Sequence, residues 1–167
     1  RQVYRGMDIG TGKDLSEYRN AGQPVPCHLI NLAEPSTIYS LWNYQQDFYE
    51  AFQELDAAGR VPVVVGGTGL YLEAVLKGYR IPNVPEDPAL RRELMGQPLE
   101  RLLERLAKLD PSLLKQTDVS SKKRVVRSLE VALYAQDHEL EWGMPNPPKV
   151  VPLVFSIRIP RPELKER

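Results

Sequence analysis

Residues 40–78 constrain the fold most. Val61-Pro62-Val63-Val64-Val65 is apolar at every position, the pattern of a parallel strand covered on both faces rather than of an antiparallel strand wetted on one. Pro62 is compatible with that assignment only among the first residues of the strand, where its missing N–H leaves no gap in a ladder. Gly66-Gly67-Thr68-Gly69 follows at once, and residues 70–76 continue with helical spacing closed by Gly78. Upstream, Leu41, Tyr44, Phe48, Phe52 and Leu55 step by three or four residues behind a candidate cap at Ser40, and Gly59 stands where a left-handed C-terminal cap belongs. Helix, buried strand, glycine turn, helix is the signature of an α/β unit on a parallel sheet.

The remainder divides at its prolines, 15 in 167 residues and well above ordinary usage of about 5%. Residues 21–26 form a loop, and Cys27-His28-Leu29-Ile30-Asn31-Leu32 reads as a short strand. Residues 82–98 are polar and proline-rich. Leu99, Leu102, Leu103, Leu106 and Leu109 then mark an amphipathic helix that Asp110-Pro111 ends, with Glu104 and Lys108 as a favourable i,i+4 pair. A third helix spans about residues 121–136, with Val125, Val126, Leu129, Ala132 and Leu133 on its apolar face. Residues 142–152 are a proline-rich connection, and residues 151–159 return to alternating, extended structure. Helices between two β-rich stretches give the expected organisation: part of an α/β core at 1–82, a helical insertion at 83–148, and a return strand with the start of a core helix at 149–167.

The length is that of about one domain of roughly 100–200 residues. With 22 Lys plus Arg against 22 Asp plus Glu, no net charge advertises a nucleic-acid or membrane partner, and 42% apolar with 26% charged residues excludes disordered and fibrous classes. One cysteine, Cys27, forms no internal disulfide, which makes a reducing, cytoplasmic compartment the default. The two histidines are too far apart for a metal-ligand pair, so no metal site is read from the residues. The first residue is Arg1, so no initiator methionine opens the chain.

Four places could carry chemistry. The turn of Gly66, Gly67, Thr68 and Gly69 offers N–H groups and a positive dipole end to an anion, with the Thr68 hydroxyl beside them. The alternative is a tight turn whose glycines serve only backbone geometry and whose Thr68 caps the helix. Gly10-Thr11-Gly12-Lys13 looks like a phosphate loop, but Met7 and Asp14 stand where such a loop needs Gly and Ser or Thr, so it reads as a surface turn. Lys122, Lys123, Arg124 and Arg127 crowd the start of the third helix, where the macrodipole disfavours cations by about 0.3–1 kcal/mol each. Either an external anion or local partners such as Asp118 must compensate, and Lys123, Arg127 and Glu130 share a stripe that leaves Arg127 free to reach outwards. Cys27 and His28, neighbours on a strand, point to opposite faces and form no dyad; His28 reads as structural and His138 as a surface residue near a helix end.

Taken together, Arg1-Gln2-Val3-Tyr4-Arg5-Gly6-Met7-Asp8-Ile9-Gly10-Thr11-Gly12-Lys13, then Val25-Pro26-Cys27-His28-Leu29-Ile30, Val65-Gly66-Gly67-Thr68-Gly69-Leu70-Tyr71 and Arg124-Val125-Val126-Arg127-Ser128-Leu129-Glu130-Val131 resemble, in order and spacing, the tRNA dimethylallyltransferases, also called tRNA isopentenyltransferases. The resemblance covers nearly the whole chain. It implies a P-loop kinase-like, nucleotide-binding parallel core with a helical insertion. It also implies transfer of a dimethylallyl group from dimethylallyl diphosphate to N6 of the adenosine adjacent to the tRNA anticodon, with magnesium, in a monomer.

Carried over residue by residue, the resemblance puts Arg1 and Gln2 at the target adenosine and Gly66, Gly67 and Thr68 at the diphosphate, with Thr68 also touching tRNA. Arg91 and the run Lys123, Arg124, Val125, Val126, Arg127 match tRNA-contacting positions, with Arg127 near the reacting centre. Thr68 and Arg127 are thus the candidate catalytic groups, and the anion missing from the third helix becomes RNA. Cys27 stands where a histidine is common and Asn31 where an aspartate is. The family's phosphate loop and general-base Asp fall upstream of Arg1 and its tRNA-binding C-terminal part downstream, while Arg167 matches an arginine of the following segment. The 167 residues alone are therefore expected not to catalyse transfer. A degenerate RNA-binding relative and a small-molecule kinase of the same core are the competing readings.

Overall fold

The computed structural model describes residues 1–156, 159 and 160; Arg167 and Ile157 lie outside the described residues. The backbone is mostly helical. A 3-10 turn at Leu15–Glu17 leads into a two-residue antiparallel hairpin, β1 (Arg19–Asn20) with β2 (Gln23–Pro24), followed by six helices: α1 (Leu41–Ala57), α2 (Gly69–Leu76), α3 (Pro88–Met95), α4 (Leu99–Leu109), α5 (Pro111–Gln116) and α6 (Lys122–Asp137).

The helix α1 begins as its sequence dictates. The Ser40 hydroxyl accepts from Asn43 N and the Asn43 side chain accepts from Ser40 N, a reciprocal cap, and Gly59 takes φ 65° just past the end. Its buried face of Tyr44, Gln45, Phe48 and Tyr49 packs on Ala74 and Val75 of α2. The carbonyls at the end of α2 have no partner within the helix, and α1 supplies them. Gln45 Nε2 donates to Ala74 O at 3.0 Å and Tyr79 O at 2.8 Å, and Tyr49 Oη donates to Val75 O at 2.9 Å.

The second core lies among the later helices, where Leu94, Leu102, Leu106, Val125, Val126 and Leu129 are wholly buried. Residues 82–98, polar and proline-rich in sequence, contain α3. Asp87 caps it, accepting from Ala89 N and Leu90 N, and Pro88 occupies the first turn, where its missing N–H costs nothing. Asp110-Pro111 does end α4, and it also starts α5 by the same device. At the base of the helical unit the chain enters and leaves side by side. Asn83 N donates to Glu141 O at 2.7 Å, Gly143 N to Ile81 O at 3.1 Å, and Pro82 bridges Trp142 in antiparallel sense.

The strands expected at 27–32, 61–65 and 151–159 do not form among the described residues. A strand exists only as a ladder, and among the described residues none pairs with 61–65 or 151–156, where Val61 is 89% and Phe155 83% exposed. Leu29 and Asn31 have φ of 62° and 56°, which breaks the segment at 27–32, and His28 is exposed rather than structural. The one parallel pairing among the described residues is an isolated bridge between Tyr4 and Ala33.

Burial holds the phenols of Tyr39, Tyr44, Tyr49 and Tyr71 above their ordinary pKa, with the hydrogen bond to Asp47 adding to the effect at Tyr39. All four lie in or against the α1–α2 core. A phenol whose folded pKa is raised contributes stability that is complete below its unfolded value of about 10 and is lost as pH climbs beyond it. The melting temperature of α1–α2 should therefore fall above about pH 10, with tyrosinate absorbance appearing together with loss of ellipticity. Tyrosinate forming near its ordinary pKa without unfolding would contradict this.

Candidate functional site

Thr68 opens α2. Its carbonyl accepts from Tyr71 N at 3.0 Å and Leu72 N at 3.2 Å, but its hydroxyl makes no capping bond, so the capping role weighed for that side chain does not hold. Gly66, Gly67 and Gly69 do not have positive φ, and a Cβ at any of them would meet nothing within 4 Å. Neither strain nor internal packing accounts for three glycines in this turn. The loop, with the Thr68 hydroxyl, is exposed, and the first N–H groups of α2 lie just behind it.

The cations of α6 have partners that the sequence only partly anticipated. Arg124 pairs with Asp118, as the local reading allowed. Asp118 also accepts from the Ser120 hydroxyl and N–H, and these bonds are the larger part of what holds its carboxyl below the usual range, Arg124 adding less. Lys122 Nζ donates to Met95 O at 2.7 Å, filling an orphan carbonyl of α3. Lys123 is exposed and has no ion pair among the described residues.

Arg127 does not reach outwards. Its Nη1 donates to Glu130 Oε2 at 3.2 Å and its Nη2 to Val84 O at 2.8 Å. The Glu130 side chain is only 2% exposed, because α3 covers the stripe that looked solvated and brings Arg91 against it. Arg91 donates from Nε and Nη2 to both Glu130 oxygens at 2.7 and 2.8 Å, and its Nη1 meets Glu86 at 2.9 Å. These carboxylates, Glu130 foremost, fix the Arg91 guanidinium in its charged form. The structure thus joins Arg91 and Arg127 through one buried carboxylate. Val125 and Val126 lie in the core, so neither offers its side chain to a partner on this surface.

At the other end, Gln2 Nε2 donates to Gly12 O at 3.0 Å, and Arg1 is exposed. Gly10 and Gly12, both at φ 69°, form the expected turn, but Lys13 is not on its surface: the Lys13 side chain is 0% exposed. Sequence reasoning missed the burial of Lys13 and Glu130, each of which has one partner far along the chain, Asn31 and Arg91 respectively. Among the described residues no hydrogen bond or ion pair joins the Arg1–Gln2 segment, the Thr68 loop and the α6 cations to one another. Nor do three His, Cys, Asp or Glu side chains converge there to hold a metal ion.

The chain thus combines a basic helix start, a glycine turn with an unspent hydroxyl and a helical unit on two paired stems. The IPP transferase family model matches residues 2–167, and the chain belongs to that family. It is 46% identical over its whole length to tRNA dimethylallyltransferase 1 of Syntrophus aciditrophicus, of which it covers 54%, and 47% identical to tRNA dimethylallyltransferase 1 of Geotalea daltonii, of which it covers 52%. Among solved structures it is similar to the full-length tRNA isopentenylpyrophosphate transferase of Bacillus halodurans, at 36% identity over 78% of this chain and 43% of that one, with a TM-score of 0.45. The chain spans about half the length of the curated relatives it matches. No helix among the described residues is long and apolar enough to cross a membrane.

Proposed function

We propose that these residues are part of a cytoplasmic, monomeric tRNA-modifying prenyltransferase that moves a dimethylallyl group from dimethylallyl diphosphate to N6 of the adenosine adjacent to the anticodon. The observation that carries this reading is the Gly66-Gly67-Thr68 turn, exposed and uncapped, in a chain of the IPP transferase family. In the proposed step N6 attacks the allylic carbon of the donor, the carbon–oxygen bond to diphosphate breaks, and the N6 proton passes to a carboxylate that the resemblance puts ahead of Arg1. Thr68 and the first N–H groups of α2 stabilise the charge gathering on the departing diphosphate. The adenosine must leave its stack to react, and Arg1 and Gln2 meet it. Lys123 and Arg124 take RNA phosphates, while Arg127 and Arg91 present whatever edge of their guanidiniums Glu130 leaves free. The segments 61–65 and 151–156 take places in a parallel, P-loop kinase-like sheet completed by chain beyond these residues, and the 167 residues alone do not catalyse transfer.

A version extended to the relatives' length should move labelled dimethylallyl onto an anticodon stem-loop containing that adenosine and not onto one lacking it. RNA binding with no transfer would favour a non-catalytic binder and overturn the enzyme reading. In the same protein, Lys123→Ala with Arg124→Ala should weaken tRNA binding and flatten the slope of log K against log salt by about 0.7–0.9 for each phosphate no longer neutralised. An unchanged slope would remove both cations from the RNA surface.

A further inference from the structure

The Gly10-Thr11-Gly12-Lys13 turn has no part in the reaction just described, yet it ends in the most completely satisfied charged group among the described residues. Gly10 and Gly12 turn the chain back with positive φ, and the Thr11 hydroxyl closes the turn on Met7 O at 2.7 Å. The Lys13 side chain consequently runs beneath residues 1–5. Its ammonium has three protons and three oxygens around it: Tyr4 O, Asn31 Oδ1 and Asp8 Oδ1, each at 2.7 Å. A buried ammonium so enclosed has no proton left for a ligand, so it acts through what it holds.

What it holds is the segment that begins with Arg1 and Gln2. Tyr4 is anchored twice, its carbonyl by Lys13 and its hydroxyl oxygen by Tyr39 N at 3.2 Å. Residues 31–33 lie against the same segment, with Asn31 N donating to Gln2 O, Leu32 N and Ala33 N to Val3 O, and Arg5 N to Ala33 O. Gln2 in turn grips the turn itself through Gly12 O. Lys13 therefore stands where three strips of chain meet: 1–5, 8–13 and 31–33.

We propose that Lys13 is a positioning residue, whose bonds to Tyr4 O and Asn31 Oδ1 hold the Arg1–Gln2 segment in the register that meets the acceptor adenosine. This rests on the tRNA-prenyltransferase reading above. Lys13 touches neither substrate, so its loss acts on the acceptor side alone: orientation of a reactant is disturbed while the donor site is not.

The test uses Lys13→Met in the protein extended to the relatives' length. The KM for tRNA should rise about tenfold, with the KM for dimethylallyl diphosphate within about twofold of wild type. Asn31→Asp, which keeps an acceptor for the ammonium, should keep the wild-type KM for tRNA, whereas Asn31→Ala should raise it. Amide hydrogen exchange provides the second measurement: the N–H groups of Arg5, Asn31, Leu32 and Ala33 should exchange faster in Lys13→Met, and those of α6 should not. Faster exchange with an unchanged KM for tRNA would make the tie purely architectural and overturn the proposal, as would unchanged exchange. If the wild-type protein moves no prenyl group, the underlying reading falls instead, and the exchange rates distinguish that outcome from failure of the tie.

Discussion

In the protein extended to the relatives' length, Thr68→Ala should lower the proposed prenyl transfer by at least about tenfold, and by up to about a thousandfold if its hydroxyl is the main side-chain donor to the leaving diphosphate. The same substitution leaves stability nearly unchanged. Removing a side-chain N-cap costs about 1 kcal/mol, but the Thr68 hydroxyl makes no capping bond, so there is none to lose. Activity and stability thus separate at this position, which single-turnover transfer alongside urea denaturation would measure. Wild-type turnover in Thr68→Ala would remove the hydroxyl from the mechanism. A loss of stability matching the loss of activity would return Thr68 to a structural role.

Glu130→Ala destabilises the helical unit by about 2–3 kcal/mol, below the 3–5 kcal/mol of a fully enclosed pair because solvent already screens its partners. The carboxylate is 2% exposed, whereas the Arg91 and Arg127 side chains are 35% and 38% exposed. Removing it leaves two guanidiniums facing each other with nothing between them, and only Glu86 and Val84 O to hold them. The same loss removes the ion-pair tie between α3 and α6 and leaves them joined by Lys122 on Met95 O and by the packing of Leu94. Urea midpoints for Glu130→Ala and Glu130→Gln measure this, with Gln recovering part of the difference through its remaining acceptor. An unchanged midpoint for Glu130→Ala would mean that the apolar packing of Leu94, Leu102, Leu106 and Leu129 holds the unit without it.

How much of this the residues disclose depends on where each interaction closes. Helices α1, α2, α4 and α6 close on themselves within one or two turns, so the spacing of Tyr44 and Phe48 or of Leu102 and Leu106, with caps at Ser40 and Gly59, is enough to find them. Helices α3 and α5 escape notice although their signal, Asp-Pro, is in plain view: at Asp110 that pair stops one helix and starts the next equally well, and at Asp87 it sits in a polar, proline-rich stretch. The valine runs at 61–65 and 151–156 announce the burial proper to a strand, but burial of a strand needs a neighbour, and none is found among the described residues. Thr68 is legible from its place between strand-like and helical residues. Lys13 and Glu130 are not, since Asn31 lies 18 residues from Lys13 and Arg91 lies 39 from Glu130. No local pattern encodes a meeting over those distances. The stripe containing Arg127 misleads for the same reason, as its cover is α3, a helix that the residue pattern hides.

The paired stems at Ile81–Gly143 and Asn83–Glu141 have a consequence for how this chain tolerates change. Everything between them departs from and returns to nearly one point, so closing the gap with a short turn would leave the chain on either side where it is. The four later helices are in effect a cassette, closed at its base by two backbone hydrogen bonds. Length variation within such a chain should accumulate inside the cassette or at the α4–α5 corner, while the two stems keep their register.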